Sequence, residues 1–512
     1  MLTLLQLPDE PESLWLNTVK LPEFPKLEDN MKTDVVIVGG GITGITAAYL
    51  LSKEKINVVL IEAGKILTGT TGHTTAKITA QHDLIYDELI QHFDEEKARK
   101  YYEAAVEAKE LIHSIIKEHQ IDCDFKEEDA YIFTNSEEYQ QKLETEMQAY
   151  EQLNIKGELT DSIKLPIPVK SALIMKNQAQ FHPLKYLKTL VEKCVENGVR
   201  LYENTAAKDI EYNKHPAVIT EDGKRIISKY IISASHFPFY DKQSFYFARM
   251  YPERSYLIGF KTDKEYPGGM YISAESPTRS IRHASINGEN LWLVGGENHK
   301  TGQGKSTLEH YENLKQFVEK HFSAKEIVYR WSAQDYTTID KIPYIGPITE
   351  SEEHVLVATG YRKWGMTNGT IAAKICADII LNKESAYSEL YSPARFHADP
   401  DVKKFIQINA DVAKHLIKGK LDFSDDKLKH LQHDDAVITR INGKRTGIYK
   451  GKNNQLYAVD TTCTHLGCEV EWNSGDRTWD CPCHGSRFSI TGEVINGPAK
   501  EPLKRYEWNE SS

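Results

Sequence analysis

Two short loops near the end of this 512-residue chain constrain it most, Cys463-Thr464-His465-Leu466-Gly467-Cys468 and, after Glu469 to Asp480, Cys481-Pro482-Cys483-His484-Gly485-Ser486. Each loop sets one Cys close to one His, Cys463 with His465 and Cys481 with His484. Two thiolates for one iron and two imidazoles for the other are the ligand needs of a mixed-ligand [2Fe-2S] cluster. The alternative is a zinc site, but Cys2His2 zinc usually spaces Cys-x2-4-Cys before His-x3-5-His, and here each loop mixes the two types. Each loop also carries a further cysteine, Cys468 and Cys483. A chain built around such a cluster handles electrons one at a time.

Both loops resemble those of the Rieske proteins of respiratory and photosynthetic cytochrome complexes. The resemblance implies that Cys463, His465, Cys481 and His484 are ligands and that Cys468 and Cys483 form a disulfide linking the loops. Ser486 matches the serine whose hydroxyl bonds a cluster sulfur, and Asn496-Gly497-Pro498-Ala499 looks like the proline loop that covers the cluster. Where high-potential members place a tyrosine two residues after that serine, this chain has Phe488. Losing a donor removes stabilisation of the more negative reduced cluster, so a lower potential is expected. In a reducing compartment such a disulfide persists only if buried beside the cluster.

A second signature lies near the start. Asp34-Val35-Val36-Ile37-Val38 reads as a buried parallel strand, Gly39-Gly40-Gly41-Ile42-Thr43-Gly44 follows, and Ile45 to Ser52 reads as a helix. The strand Val58 to Ile61 then ends at Glu62, eighteen residues beyond Gly44. This is a dinucleotide-binding βαβ unit, in which glycines admit a pyrophosphate at the helix N-terminus and the carboxylate takes the ribose hydroxyls. FAD and NAD share that signature, and two later stretches favour FAD. Leu67 to Ala76 is dense in Thr and Gly, suited to lying against a flat ring, and a helix from Met366 to Leu381 is entered through Gly365 after the strand Val355 to Thr359. Its N-terminus would favour the negative charge a flavin gains at N1 and C2 on reduction.

From Asp34 to Leu381 these pieces resemble the D-amino-acid oxidase, glycine oxidase and sarcosine oxidase superfamily, and the order of flavoprotein then Rieske domain is that of bacterial fusion proteins of FAD-dependent oxidoreductases. The resemblance implies that Gly39, Gly41, Gly44 and Glu62 hold the ADP half of FAD, with Thr70, Thr71, His73, Gly365, Met366 and Thr367 at the isoalloxazine. The expected fold is an α/β FAD-binding domain, Rossmann-like and of glutathione-reductase type, with an α+β substrate domain, followed by a small all-β Rieske domain. The expected bounds are an extended segment over 1–30, which its prolines bar from regular structure, the oxidoreductase over 31–390 with its substrate subdomain at about 245–330, a linker helix within 391–425, and the Rieske domain over 426–512.

Composition narrows the partners. The net charge is −11, and residues 426–512 are charge-balanced, so the acidity belongs to the first 425 residues and argues against nucleic acid. No apolar run is long enough to span a bilayer and the start has no basic n-region, so the expected setting is the cytoplasm. Cys123, Cys194 and Cys376 are isolated and read as small buried hydrophobes.

Catalytic candidates are fewer. His73, in Gly69-Thr70-Thr71-Gly72-His73, matches a segment that attaches flavin covalently in dimethylglycine-oxidising relatives, or it only hydrogen-bonds near the ring; release of flavin on denaturation distinguishes these. Arg279 or Arg282 could fork a substrate carboxylate, but three apart on a strand they point to opposite faces, so at most one serves. His299 and Lys300, and the stretch Trp331 to Tyr336, are expected in loops near the flavin. No second G-x-G-x-x-G follows a strand, so the electrons are expected from an organic substrate. The reading is oxidation of an amine or amino-acid-like molecule, with electrons passing from FAD to the [2Fe-2S] cluster and on to an unidentified one-electron acceptor. The alternatives are the reverse current, with a one-electron donor feeding the cluster, and a redox sensor without turnover.

Overall fold

The computed structural model describes residues 5–241, 244–286, 288–304, 306–395, 398–421, 431–441 and 443–506. Its organising layer is a six-stranded sheet, in the order Tyr344–Pro347, Val355–Thr359, Tyr230–Ser233, Val35–Val38, Val58–Ile61 and Arg200–Tyr202. All neighbours are parallel except the first pair. The strands Val35–Val38 and Val58–Ile61 are buried along their whole length, as continuous β-branched runs require when both sheet faces are covered. Helices Ile42–Lys53, Pro183–Glu196, Gly365–Ile380 and Glu95–His119 supply one apolar core with this sheet. The last is capped by Asp94, whose side chain accepts from the Lys97 amide at 2.7 Å.

The second layer is a nine-stranded sheet. Its strands run Glu326–Thr338, Met250–Lys261, Glu289–Lys300, Arg279–Ile286, Met270–Ser273, Lys126–Thr134, Ser171–Gln180 and Lys77–Ile78, with Gly157–Thr160 pairing Ser171–Gln180 off that path. It therefore recruits strands from well outside 245–330. The Lys126–Thr134 strand opens Lys-Glu-Glu-Asp and exposes that end, which hides its period in the sequence.

The first 30 residues are not wholly irregular. A short helix, Leu14–Thr18, starts at Ser13, whose hydroxyl accepts from the Trp15 amide. Trp15 is fully buried and donates its ring N–H to Thr74 O at 2.7 Å, while Ser13 Oγ donates to Gly72 O. The N-terminal segment thus buttresses the threonine-rich loop.

After the helix Ala398–Leu421 come two four-stranded antiparallel sheets. One is Asp435–Ile441, Lys444–Lys450, Leu456–Asp460 and Arg505–Tyr506; the other is Glu471–Asn473, Thr478–Asp480, Arg487–Phe488 and Val494–Asn496. The start of the β module expected near 422–426 lies outside the described residues, as do positions 1–4 and 507–512. Among the described residues no helix is long and apolar enough to cross a membrane.

Candidate functional site

A cavity of about 720 Å³ runs between the two large sheets. At one end it is bounded by Gly39 to Thr43 and Glu62, and farther along by Thr70, Thr71, His73 to Thr75, Gly365 and Met366. The glycine turn is tight for a steric reason: a Cβ on Gly44 would overlap the Gly39 carbonyl oxygen, and one on Gly39, at φ +114, would overlap Ala234 O. Gly44 thus lets helix Ile42–Lys53 sit on the strand, and the turn leaves Gly40 and Gly41 backbone facing the cavity. Glu62 accepts from the Gly40 and Gly64 amides at 2.8 and 2.9 Å, which fixes a carboxylate beside that turn. The Thr71 hydroxyl accepts from Ile42 N at 3.0 Å and ties the threonine loop to the helix start. This donor set, with a bare glycine turn at one end and a second helix N-terminus at the other, fits FAD.

Thr367 does not line the cavity. Its hydroxyl binds Thr79 O and His82 Nε2, so only the amides at the start of Gly365–Ile380 remain for a ligand. His73 does line it, with Nδ1 on Gly69 O at 2.8 Å, and burial lowers its pKa.

Of the catalytic candidates, Arg282, His299 and Tyr336 point elsewhere. Arg282 is buried and spends its guanidinium on the carbonyls of Thr75, Ala76, Phe181 and His283, which braces the turn after the threonine loop. Arg279 pairs with Glu297 at 2.5 Å. His299 and Lys300 end a strand and are not in a loop, and His299 is stacked on His310 and bonded to the Tyr256 hydroxyl at 2.9 Å. Trp331 to Tyr336 also lies within a strand. In that strand Ala333, Asp335 and Thr337 face the cavity, so the period of two turns Tyr336 away from it.

Sequence reasoning missed the polar groups that do converge there. Lys77 donates to Tyr271 O at 2.8 Å and to Ser280 Oγ at 2.7 Å, and burial, aided by the Arg282 charge, lowers its pKa to about 7. Asp335 accepts from the Lys363 amide at 2.6 Å, and Tyr336 O accepts from Arg362 N, so one strand positions the loop that enters Gly365–Ile380. A Thr-Thr-Ala-Lys run after the glycine-rich loop was the one available hint for Lys77.

The two C-terminal loops meet as their spacing requires. Cys468 and Cys483 form the disulfide, with Cα atoms 6.5 Å apart. Of the three clustered sulfurs of Cys468, Cys481 and Cys483, two are consumed by that bond, which leaves Cys481 as a thiol, and Cys463 on the other loop is a free thiol as well. The interaction between these two thiols holds Cys463 below the ordinary thiol range and pushes Cys481 above it. The His465 and His484 rings lie 5.0 Å apart, and His465 Nδ1 is buried with no hydrogen-bond partner. Two thiols, two imidazoles and an orphaned ring nitrogen fit a mixed-ligand cluster. Ser486 is fully buried and its oxygen accepts from Ala499 N at 2.9 Å; Phe488 is also fully buried.

An outward-facing pair of imidazoles is not what the loops present. Phe247 packs edge-on to both rings, at 5.9 Å from His465 and 5.5 Å from His484, and His484 is only 4% exposed. The neighbouring strand explains why. Gln334 Nε2 donates to Gly485 O at 2.8 Å and the Tyr336 hydroxyl to His484 O and Gly497 O, both at 3.2 Å. Gly485, at φ +77, comes so close that a Cβ there would lie 2.6 Å from Pro252 Cβ. One face of Glu326–Thr338 therefore borders the cavity and the other holds the cluster loops.

A buried charge quartet locks this contact. Arg254, fully buried, reaches Asp476 at 3.1 Å and Asp480 at 3.5 Å, and Arg487 reaches the same two carboxylates at 3.1 and 3.2 Å. Burial alone would raise the pKa of both aspartates, but the two guanidinium groups pull them below the usual range.

The family of FAD dependent oxidoreductases matches residues 34–379, and the Rieske [2Fe-2S] domain matches residues 423–507. YhfW of Bacillus subtilis (strain 168), named as a Rieske 2Fe-2S iron-sulfur protein, is 51% identical over 499 residues, 98% of each chain. The gamma-glutamylputrescine oxidoreductase of Escherichia coli (strain K12) is 24% identical over 375 residues, 70% of this chain and 86% of that one. Among solved structures, glycine oxidase from Geobacillus kaustophilus shares the fold with a TM-score of 0.61 at 17% identity, over 71% of this chain and 99% of that one. The chain belongs to the FAD dependent oxidoreductase family and carries a C-terminal Rieske domain, so its cofactors are FAD and a [2Fe-2S] cluster.

Proposed function

We propose that this protein oxidises an amine or amino-acid-like substrate and passes the electrons, one at a time, through its Rieske domain to an external acceptor. FAD supplies two-electron chemistry that can be discharged singly, and the cluster supplies one-electron transfer. The observation that carries the reading is the strand Glu326–Thr338, which borders the FAD cavity with Asp335 and Thr337 and binds the cluster loops with Gln334 and Tyr336. The same strand touches both sites, and fusion keeps the exchange intramolecular.

In this reading Cys463, His465, Cys481 and His484 are the cluster ligands, with Ser486 beside them. Gly39, Gly41 and Gly44 shape the turn at the diphosphate and Glu62 takes the ribose hydroxyls. Thr70, Thr71 and His73 bracket the ring together with the amides of Gly365 and Met366. Lys77, Ser280, Asp335 and Lys363 supply the polar groups of the substrate end. The amine class draws support from the gamma-glutamylputrescine oxidoreductase relative and from the glycine oxidase fold.

Anaerobic titration with amines and amino acids tests it. The expected result is bleaching of the flavin absorbance, followed by the electron paramagnetic resonance signal of a reduced cluster. Bleaching that never produces that signal defeats the hand-off. Reduction of both centres by a one-electron carrier, with no amine effective, reverses its direction.

A further inference from the structure

We propose that the Val494–Lys500 segment of the Rieske domain is itself part of the FAD site, so that FAD is held by both domains. The segment lines the same cavity as the glycine turn Gly39 to Gly41 and the stretch Ala234 to Phe239. It is pinned at three points. The Tyr336 hydroxyl donates to Gly497 O, next to Asp335 and Thr337 on the cavity wall. Lys500 Nζ donates to Lys208 O at 2.6 Å, next to Ala206 and Ala207 on that wall. On its other side Ala499 N donates to Ser486 Oγ at 2.9 Å, which ties it to the cluster loop.

Its apolar side chains suit the flat or sugar parts of the cofactor, and the segment's one cation, Lys500, is already bonded to Lys208 O. Ile495 borders the cavity yet is 47% exposed, an apolar side chain that a ring system would cover, and Val494 and Asn496 flank it. The segment cannot retreat freely, because Arg254 with Asp476, Asp480 and Arg487 holds the domain in place. Arg330 adds a second clamp, donating to Gly475 O at 2.6 Å and to Pro8 O and Asp9 O. A ligand touching both domains stabilises their docked arrangement, and docking in turn slows the ligand's escape.

Hydrogen exchange on the full chain, with its cluster in place, compares the FAD-loaded and deflavinated forms. FAD is expected to slow exchange several-fold at the amides of 494–497 and 499–501 while leaving Lys444–Lys450 and Leu456–Asp460 unchanged. A companion variant, Ile495→Ser, alters an exposed side chain and is expected to release FAD about tenfold faster with an unaltered cluster spectrum. Protection confined to residues 34–379 overturns the proposal. So does protection spread evenly over the C-terminal sheets together with wild-type FAD release from Ile495→Ser.

Discussion

Lys77 shows how a single buried residue can set a pH dependence. Its hydrogen bonds go to neutral acceptors, a carbonyl and a hydroxyl, and burial first, then the Arg282 charge, lowers its pKa to about 7. In the unfolded chain a lysine titrates near ~10.4. Between those values the unfolded chain binds more protons than the folded one, so this group's contribution to stability rises with pH across the window. Below pH 7 both forms are protonated and the full cost of the buried ammonium is present; above about 10.4 it is gone. Lys77→Met removes that cost. The variant is expected to be more stable than wild type at pH 6, with the gap closing as the pH approaches 10. Urea denaturation of the flavin-free protein across that range checks it, and a gap that widens with pH contradicts the assignment.

At the scale of elements, what the sequence made legible were those with local grammar. The Val35–Val38 strand, glycine turn and Glu62 announce a βαβ unit through spacing alone, and the two Cys/His loops announce a cluster through residue type. The Glu326–Thr338 strand announces neither of its jobs, because Ser332 to Thr337 mixes polar and apolar residues on both faces, each buried against a different domain. A strand with two polar buried faces has no clean period of two, and its sequence suggests a loop instead. Polarity marks Tyr336 and His299 as candidates near the flavin, and only register says which way they point. Arg254, on the paired strand Met250–Lys261, was invisible because its carboxylate partners lie more than two hundred residues away. Arg254→Leu leaves Asp476 and Asp480 buried with Arg487 alone, and breaking such a network by removing one partner costs about 3–5 kcal/mol. Calorimetry is expected to show the transition of the C-terminal sheets moving below that of the flavin-binding part. Since the depressed aspartate pKa values contribute stability above the usual carboxylate range and lose it as pH falls, wild type should approach the variant's behaviour in acid. Coincident transitions in the variant at neutral pH would remove the quartet's role in docking.

The whole molecule differs from a flavoprotein with a tethered carrier in having its second domain already seated. Phe247 packs against both imidazoles, Tyr336 and Gln334 grip the cluster loops, and Thr307 accepts from Gly475 N at 2.7 Å while donating to Asn473 Oδ1 at 2.6 Å. Arg477 adds bonds to Asp434 and Glu10, so the N-terminal segment, the oxidoreductase and the Rieske domain close one contact together. A carrier that must swing to meet its partner exchanges electrons at a rate set by diffusion of the domain, which solvent viscosity slows. A seated domain has no such step. Electron exchange between the two sites, started by a flash that reduces one centre, is therefore expected to be first order, independent of protein concentration, and unchanged when glycerol raises the viscosity several-fold. Rates that fall in proportion to viscosity would mean that the docked arrangement is a resting state and that exchange needs the Rieske domain to leave it, which would in turn expose His484 to an outside partner.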